Sequence, residues 1–223
     1  IKDLQTRYLL LIALTGSIIL LAENALHYPI LQSIRGSVFQ LVSALTCTGF
    51  QTSNVFQWPT VSKLIVFTAM IIGGAAGSTA GGIKIFRSVL VFKGTARWFK
   101  KISLPSNAIF SFNFNGDILD DDTANRIIAE ASIITILWII ILAVGMFTLL
   151  HTVPGTYNLS DVMFEVASAQ GNVGLSTGIV GPNSNPVTKG MLIINMWIGR
   201  LEIIPVLMLF RTILGIKRFP FET

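Results

Sequence analysis

Residues 43–52 read SALTCTGFQT. Small, polar, glycine-bearing sequence is the usual material of a surface loop. Here it lies between apolar segments long enough to enter a bilayer. Working outward, apolar stretches fall at about 8–26, 59–92, 127–150 and 188–215. From Ile127 to Leu150 the only charge is Glu130. A helix of that length covers the roughly 30 Å of a hydrocarbon core. The 223 residues are 52% hydrophobic and 12% charged, with a mean hydropathy of +0.70. Soluble domains carry about 25% charged residues, so a lipid solvent explains the deficit.

Two shorter segments separate the long ones, GSVFQLVSALTCTGFQ (36–51) and SDVMFEVASAQGNVGLST (160–177). Each opens with a helix-capable run of about 10 residues and closes in a polar strip with glycine. That is too short to span and fits a re-entrant helix. A shift of 125 positions aligns Phe39 with Phe164, Ser43 with Ser168, Ala44 with Ala169, Gly49 with Gly174 and Thr52 with Thr177. After one inserted residue, Met70 and Gly73 face Met196 and Gly199. The reading is an all-α polytopic membrane protein with two repeats of helix, re-entrant pore helix with loop, and helix. The expected divisions are a pore repeat at 1–100, a cytoplasmic linker at 101–126 and a second pore repeat at 127–223. Asp122 or Thr123 is expected to cap the helix after a solvated linker at 103–126. That linker holds Asp120, Asp121 and Asp122, a cluster that also admits a metal site.

Basic residues set the orientation. Lys2, Arg7, Arg87, Lys93, Arg97, Lys100, Lys101, Arg126, Arg211, Lys217 and Arg218 flank the long segments on one side, against Arg35, Lys63 and Lys189 on the other. The richer side is cytoplasmic. Both chain ends and the linker are therefore expected inside, with both re-entrant loops entering from outside. The net charge of +5 lies at membrane flanks, and no nucleic-acid partner is expected. Cys47 is the single cysteine, which excludes an intrachain disulfide. His27 and His151 read as interfacial polar residues. The spanning segments hold no paired carboxylates, no HExxH and no nucleophile–base set, so no enzyme is expected.

Irregular backbone survives in a bilayer only where protein buries it or where it lines water. Thr46, Cys47, Thr48 and Gly49, with Gly171, Asn172, Val173 and Gly174, can turn carbonyls toward a common axis and replace the water shell of a cation. One such loop reads equally as a tight turn between packed helices; two at equivalent places favour pore lining. In IIGGAAGSTAGGIKIFR (71–87), five glycines interrupt an apolar segment. Each costs about 1 kcal/mol relative to alanine in a helix, so a break is expected. Arg200, in MWIGRLEIIPVL, is a charge inside the last helix. It reads as satisfied by helix ends or carbonyls of the broken segment, as a positive charge beside the pore that restrains cations, or as both at once. Glu202 is close in sequence but on another helical face. Glu165 either satisfies buried loop amides or attracts cations.

SALTCTGFQT, GGAAGSTAGGIK and QGNVGLSTG together resemble the Trk/Ktr/HKT superfamily of potassium transporters, nearest to TrkH-type subunits, in order and over nearly the whole chain. The resemblance implies four fused helix–pore-loop–helix repeats around one pore, each giving a filter strand with a key glycine. This chain resembles the third and fourth. Either it is a C-terminal fragment or another chain supplies the first two repeats. The chain begins without Met, as a processed or truncated product does. K⁺ would be held at filter carbonyls, with no other cofactor. An intramembrane loop of Gly73, Gly74, Gly77, Ser78, Thr79, Gly81 and Gly82 would gate the path with Arg200. Cys47 departs from the family, where threonine is common, which bears on fine selectivity. The resemblance also implies a plasma-membrane location (the inner membrane of the cell), membrane lipid as surroundings, a homodimer, and a cytosolic nucleotide-binding regulatory subunit (TrkA-like). The alternative from residues alone is an H⁺- or Na⁺-coupled secondary transporter with a midplane site.

Overall fold

The computed structural model describes residues 3–78, 80–103, 112–114 and 117–201. Helix α1 (Leu4–Ala25) starts at Asp3, whose carboxylate accepts from the Thr6 N–H at 3.0 Å. Its 22 residues reach about 33 Å at 1.5 Å per residue. Helix α2 (Ile30–Leu45) begins directly after Pro29, earlier than the expected start at Gly36. Proline's fixed φ and missing N–H suit a helix entry, which explains the earlier start. A 3₁₀ turn (Val55–Gln57) leads into α3 (Thr60–Ile72), which stops at Gly73 (φ +68°). The chain resumes helix in α4 (Ile85–Ile102). The glycine-rich segment therefore breaks the helix, from 73 to 84.

Where it is described, the expected solvated linker holds a short strand pair. Strands β1 (Phe112–Phe114) and β2 (Asp117–Leu119) pair antiparallel, with Asn113 opposite Ile118. Phe112 and Phe114 are buried against Ile85, Val89 and Leu90 of α4, under Arg97 and Lys93. Helix α5 (Asp121–Thr152) is capped by Asp120, not by Asp122 or Thr123. The capping oxygen must reach an N–H three residues on, and the Asp120 carboxylate meets the Thr123 N–H at 3.3 Å. The Thr123 hydroxyl and N–H hold the Asp120 carboxyl below its ordinary pKa. Asp121 pairs with Arg97 at 2.7 Å. The aspartates thus serve a helix start and an ion pair.

Helix α6 (Leu159–Gln170) opens with a capping box between Asn158 and Asp161. Helix α7 (Pro186–Leu201) ends the described chain; the rest of the 188–215 segment, with Glu202, lies outside the described residues. The succession long helix, short helix, irregular strip, helix thus occurs twice. Within each set a polar bond ties entry helix to final helix. Asn24 of α1 accepts from Ser62 of α3 at 2.8 Å, and Thr152 of α5 meets Thr188 of α7 at 2.8 Å. One core runs through both sets, including Leu20, Leu41, Met70, Trp138, Phe164 and Leu175.

The outer surface is apolar. Leu10, Leu11, Leu14, Ile18 and Ile19 of α1 are exposed, as are Ile133, Ile136, Ile140, Val144 and Phe147 of α5. Contiguous exposed surface of this kind marks a membrane or protein interface. Both helices are long and apolar enough to cross a bilayer.

Candidate functional site

The two short helices end alike. In α2 the Thr46 N–H donates to Val42 O, Cys47 N–H to Ala44 O and Thr48 N–H to Ser43 O, at 2.9, 3.2 and 3.0 Å. In α6 the Gly171 N–H donates to Ala167 O, Asn172 N–H to Ala169 O and Val173 N–H to Ser168 O, at 2.8, 3.0 and 2.8 Å. Every donor and acceptor differs by 125 positions. This is the Schellman termination, whose first residue past the helix takes a left-handed conformation. Cys47 (φ +53°) and Asn172 (φ +51°) hold that place. Asparagine tolerates it well; cysteine there carries strain. Gly49 (φ +77°) and Gly174 (φ +96°) then turn the backbone again, two residues on.

The two strips meet at these glycines. A Cβ on Gly49 would overlap the Val173 carbonyl oxygen and lie 3.2 Å from the Gly174 Cα. A Cβ on Gly174 would stand 3.6 Å from the Gly49 Cα, in ordinary contact. Beyond the crossing, Gln51 Oε1 accepts from the Ser176 N–H at 3.3 Å. The Thr46 and Thr48 hydroxyls are hydrogen-bonded to each other.

Side chains of the short helices hold the outgoing strands. Glu165 Oε2 accepts from the Thr177 N–H (2.9 Å) and hydroxyl (3.0 Å), and Glu165 Oε1 from the Ser176 hydroxyl (2.9 Å). Of the two roles open to Glu165, the geometry displays the binding of loop amides. Gln40 occupies the equivalent place in α2, fully buried. With its amide oxygen turned toward the strand, it accepts from the Thr52 and Ser53 N–H groups at 2.7 and 3.2 Å. The sequence reading missed Gln40; the 125-position shift that pairs it with Glu165 was the available signal. A third tie joins the sets. Lys63 of α3 meets Asp161 of α6 at 2.5 Å, with both side chains almost wholly buried. Asp161 also accepts the Asn158 N–H at 2.9 Å.

The broken segment sits against the bases of both strips. The Gly81 N–H donates to the Gly171 carbonyl at 3.0 Å. The Ile83 N–H returns to Ile71 O at 2.9 Å and the Ile85 N–H to Gly74 O at 3.0 Å, which pins the loop's ends together. Gly73 and Gly82 pack backbone to backbone, so that a Cβ on either would lie within 2.8 Å of the other's Cα. The Cys47 side chain borders the backbone of Gly74, Gly81 and Gly82. Gly77 (φ +82°) stands in open space, and Ser78 folds onto the Ala75 carbonyl at 2.6 Å. Thr79 lies outside the described residues. Arg200 is exposed in the last turn of α7. Gly199 beside it packs on the Gln170 carbonyl, at the other end of the Gly171 base.

The profile of the TrkH family, described as cation transport protein, matches residues 2–218. A cation transporter of Methanocaldococcus jannaschii, itself uncharacterised, is 38% identical over 95% of this chain and 42% of its own length. The Trk system potassium uptake protein TrkH of Escherichia coli K12 is 34% identical over 81% of this chain and 36% of its own length. The crystal structure of the potassium transporter TrkH from Vibrio parahaemolyticus superposes with a TM-score of 0.78 at 27% identity, over 93% of this chain and 44% of that one. The chain therefore spans less than half the length of these relatives. With a family match over almost all its residues and a fold that agrees, the chain belongs to the TrkH family of cation transport proteins.

Proposed function

We propose that this chain forms half of a potassium-conducting membrane pore. The observation that carries this reading is the pair of strips Thr46–Gly49 and Gly171–Gly174, matched bond for bond and meeting at Gly49 and Val173. Left-handed backbone at Cys47, Gly49, Asn172 and Gly174 supports a reading in which successive carbonyls line one path, where carbonyls substitute for the hydration shell of K⁺. Gln40 and Glu165 brace the strands from behind. Membrane potential drives the ion, at about 2.3 kcal/mol per charge per 100 mV.

In this reading residues 1–100 and 127–223 are pore repeats and 101–126 a cytoplasmic linker. The basic flanks favour both chain ends inside, and the apolar faces of α1 and α5 favour membrane lipid around them. The loop of Gly73, Gly74, Gly77, Ser78, Thr79, Gly81 and Gly82 gates the path below the strips, and Arg200 adds a positive charge there. Two further repeats complete the pore, a second copy makes a homodimer, and a cytosolic nucleotide-binding subunit regulates the inner face. The Trk system names of the relatives support a multi-component uptake system. The chain is a transporter subunit and performs no covalent chemistry.

The test is Rb⁺ and Na⁺ flux into liposomes holding the complete subunit, beside a Gly174→Ser variant. Uptake that prefers Rb⁺ without a coupling ion, with the preference relaxed in the variant, is the expected result. Equal flux and selectivity in both proteins would sink the filter assignment. The helix broken between α3 and α4 also suits an ion-coupled carrier; uptake that saturates and stops without H⁺ or Na⁺ would favour that reading.

A further inference from the structure

The two sets of helices differ in their packing: α3 has a neighbour that α7 lacks among the described residues. One face of α3, running through Lys63, Phe67 and Met70, lies against α6 of the other set. Lys63 and Met70 are buried there, and the Met70 carbonyl would stand 3.3 Å from a Cβ on Gly171. A shift of 126 positions carries that face onto Lys189, Ile193 and Met196 of α7. These residues line a cleft of about 460 Å³ together with Glu165, Ser168 and Asn172 of α6 and its strip. Ile193 is 64% and Met196 45% exposed, whereas Met70 is fully buried. The side facing inward within each set is satisfied alike, Ser62 on Asn24 and Thr188 on Thr152. Among the described residues the outward face of α7 is the open one.

Resting on the pore reading above, we propose that Lys189 forms a buried ion pair with a carboxylate in the first turn of a short re-entrant helix, contributed by a further repeat that packs into this cleft. Three observations fix the occupant. The structure already contains the arrangement once, as Lys63 on Asp161, the third residue of α6. The relatives are more than twice as long as the matched stretch, so they carry further chain of the kind that would fill the cleft. The cleft wall is largely apolar; its one carboxylate, Glu165, is already taken up by Ser176 and Thr177, and among the described residues Lys189 donates to the Pro182 carbonyl, at 2.5 Å. A lysine on an apolar wall calls for an anionic partner, because a charge leaves water only when paired. At the opposite edge the latch does not recur. The α2 residue equivalent to Asp161 is Gly36, which offers no carboxylate, although Phe39 is 40% exposed where its counterpart Phe164 is fully buried.

The experiment uses the complete membrane subunit. A photo-reactive benzoylphenylalanine at Ile193 reports which segment covers α7. A membrane-permeant carbodiimide then couples paired lysine and carboxylate groups, forming an amide with loss of one water, and digestion maps the products. The Lys63–Asp161 amide is the internal reference. The expected result is a second amide joining Lys189 to an Asp or Glu outside residues 1–223, lost in Lys189→Arg because guanidinium does not couple. Lys63 coupled while Lys189 remains free, or Lys189 coupled within residues 1–223, overturns the proposal. If Ile193 captures an outside segment while Lys189 stays free, the latch alone fails. If Ile193 captures nothing outside the chain, the four-repeat pore reading fails with it.

Discussion

Replacing Gly49 with alanine separates a built ion path from a packed turn. Two costs add. Gly49 sits at φ +77°, where an L side chain costs about 1–2 kcal/mol. Its new methyl would also overlap the Val173 carbonyl oxygen. That obstacle is backbone, pinned by the Val173 N–H on Ser168 O at 2.8 Å, and cannot rotate aside. Forcing an extra methyl into such a place costs about 1–3 kcal/mol. Together about 2–5 kcal/mol oppose the native crossing, roughly a 30-fold to several-thousand-fold loss of correctly formed strips at tenfold per 1.4 kcal/mol. Gly174→Ala shares the first cost but not the second, since its methyl meets the Gly49 Cα at 3.6 Å. Potential-driven Rb⁺ uptake and the Rb⁺/Na⁺ ratio, measured in liposomes on the complete subunit, should therefore fall further in Gly49→Ala than in Gly174→Ala, by about fivefold to a hundredfold. Equal losses, or near-normal transport in Gly49→Ala, would refute the argument that backbone contact at the crossing controls the path.

Other perturbations address other parts. Lys63→Met leaves Asp161 buried with only its backbone partner, and breaking a buried pair costs about 3–5 kcal/mol; thermal unfolding in detergent should show the loss, with the Lys63→Met/Asp161→Asn double variant recovering part of it. Glu165→Leu removes the acceptor of the Thr177 N–H and two hydroxyls. It should cost about 2 kcal/mol or more through unsatisfied buried donors and broaden ion preference, while Glu165→Gln does less on both measures. Gly81→Ala places a methyl 2.8 Å from the Gly171 carbonyl and should displace the loop, raising basal flux without changing the Rb⁺/Na⁺ ratio; a changed ratio with unchanged flux would contradict the gate role. The depressed Asp120 carboxyl stabilises the start of α5 at neutral pH, and this contribution fades as pH falls through its folded value below the ordinary range near about 3.9. Asp120→Ala should therefore lower the melting temperature at pH 7 and lose that difference in strong acid.

The sequence by itself determined what depends on neighbours along the chain. The 125-position shift predicted where both strips turn, because a helix ending in small and polar residues followed by a glycine specifies its own termination. The five glycines between 71 and 87 predicted the break that separates α3 from α4, and the apolar lengths predicted α1 and α5. Local chemistry also misled: the run of aspartates suggested Asp122 or Thr123 as the cap, and only the reach of one carboxylate to Thr123 chose Asp120. Tertiary structure decided everything that joins segments distant in sequence. Gly49 against Val173, Gly81 on Gly171, and Lys63 on Asp161 each connect residues from different helix sets, and no periodicity encodes such a meeting. Gln40 reads in the sequence as an ordinary polar residue of a short helix. It becomes a brace because packing buries it fully beside the Thr52 and Ser53 amides, where a buried N–H requires a partner.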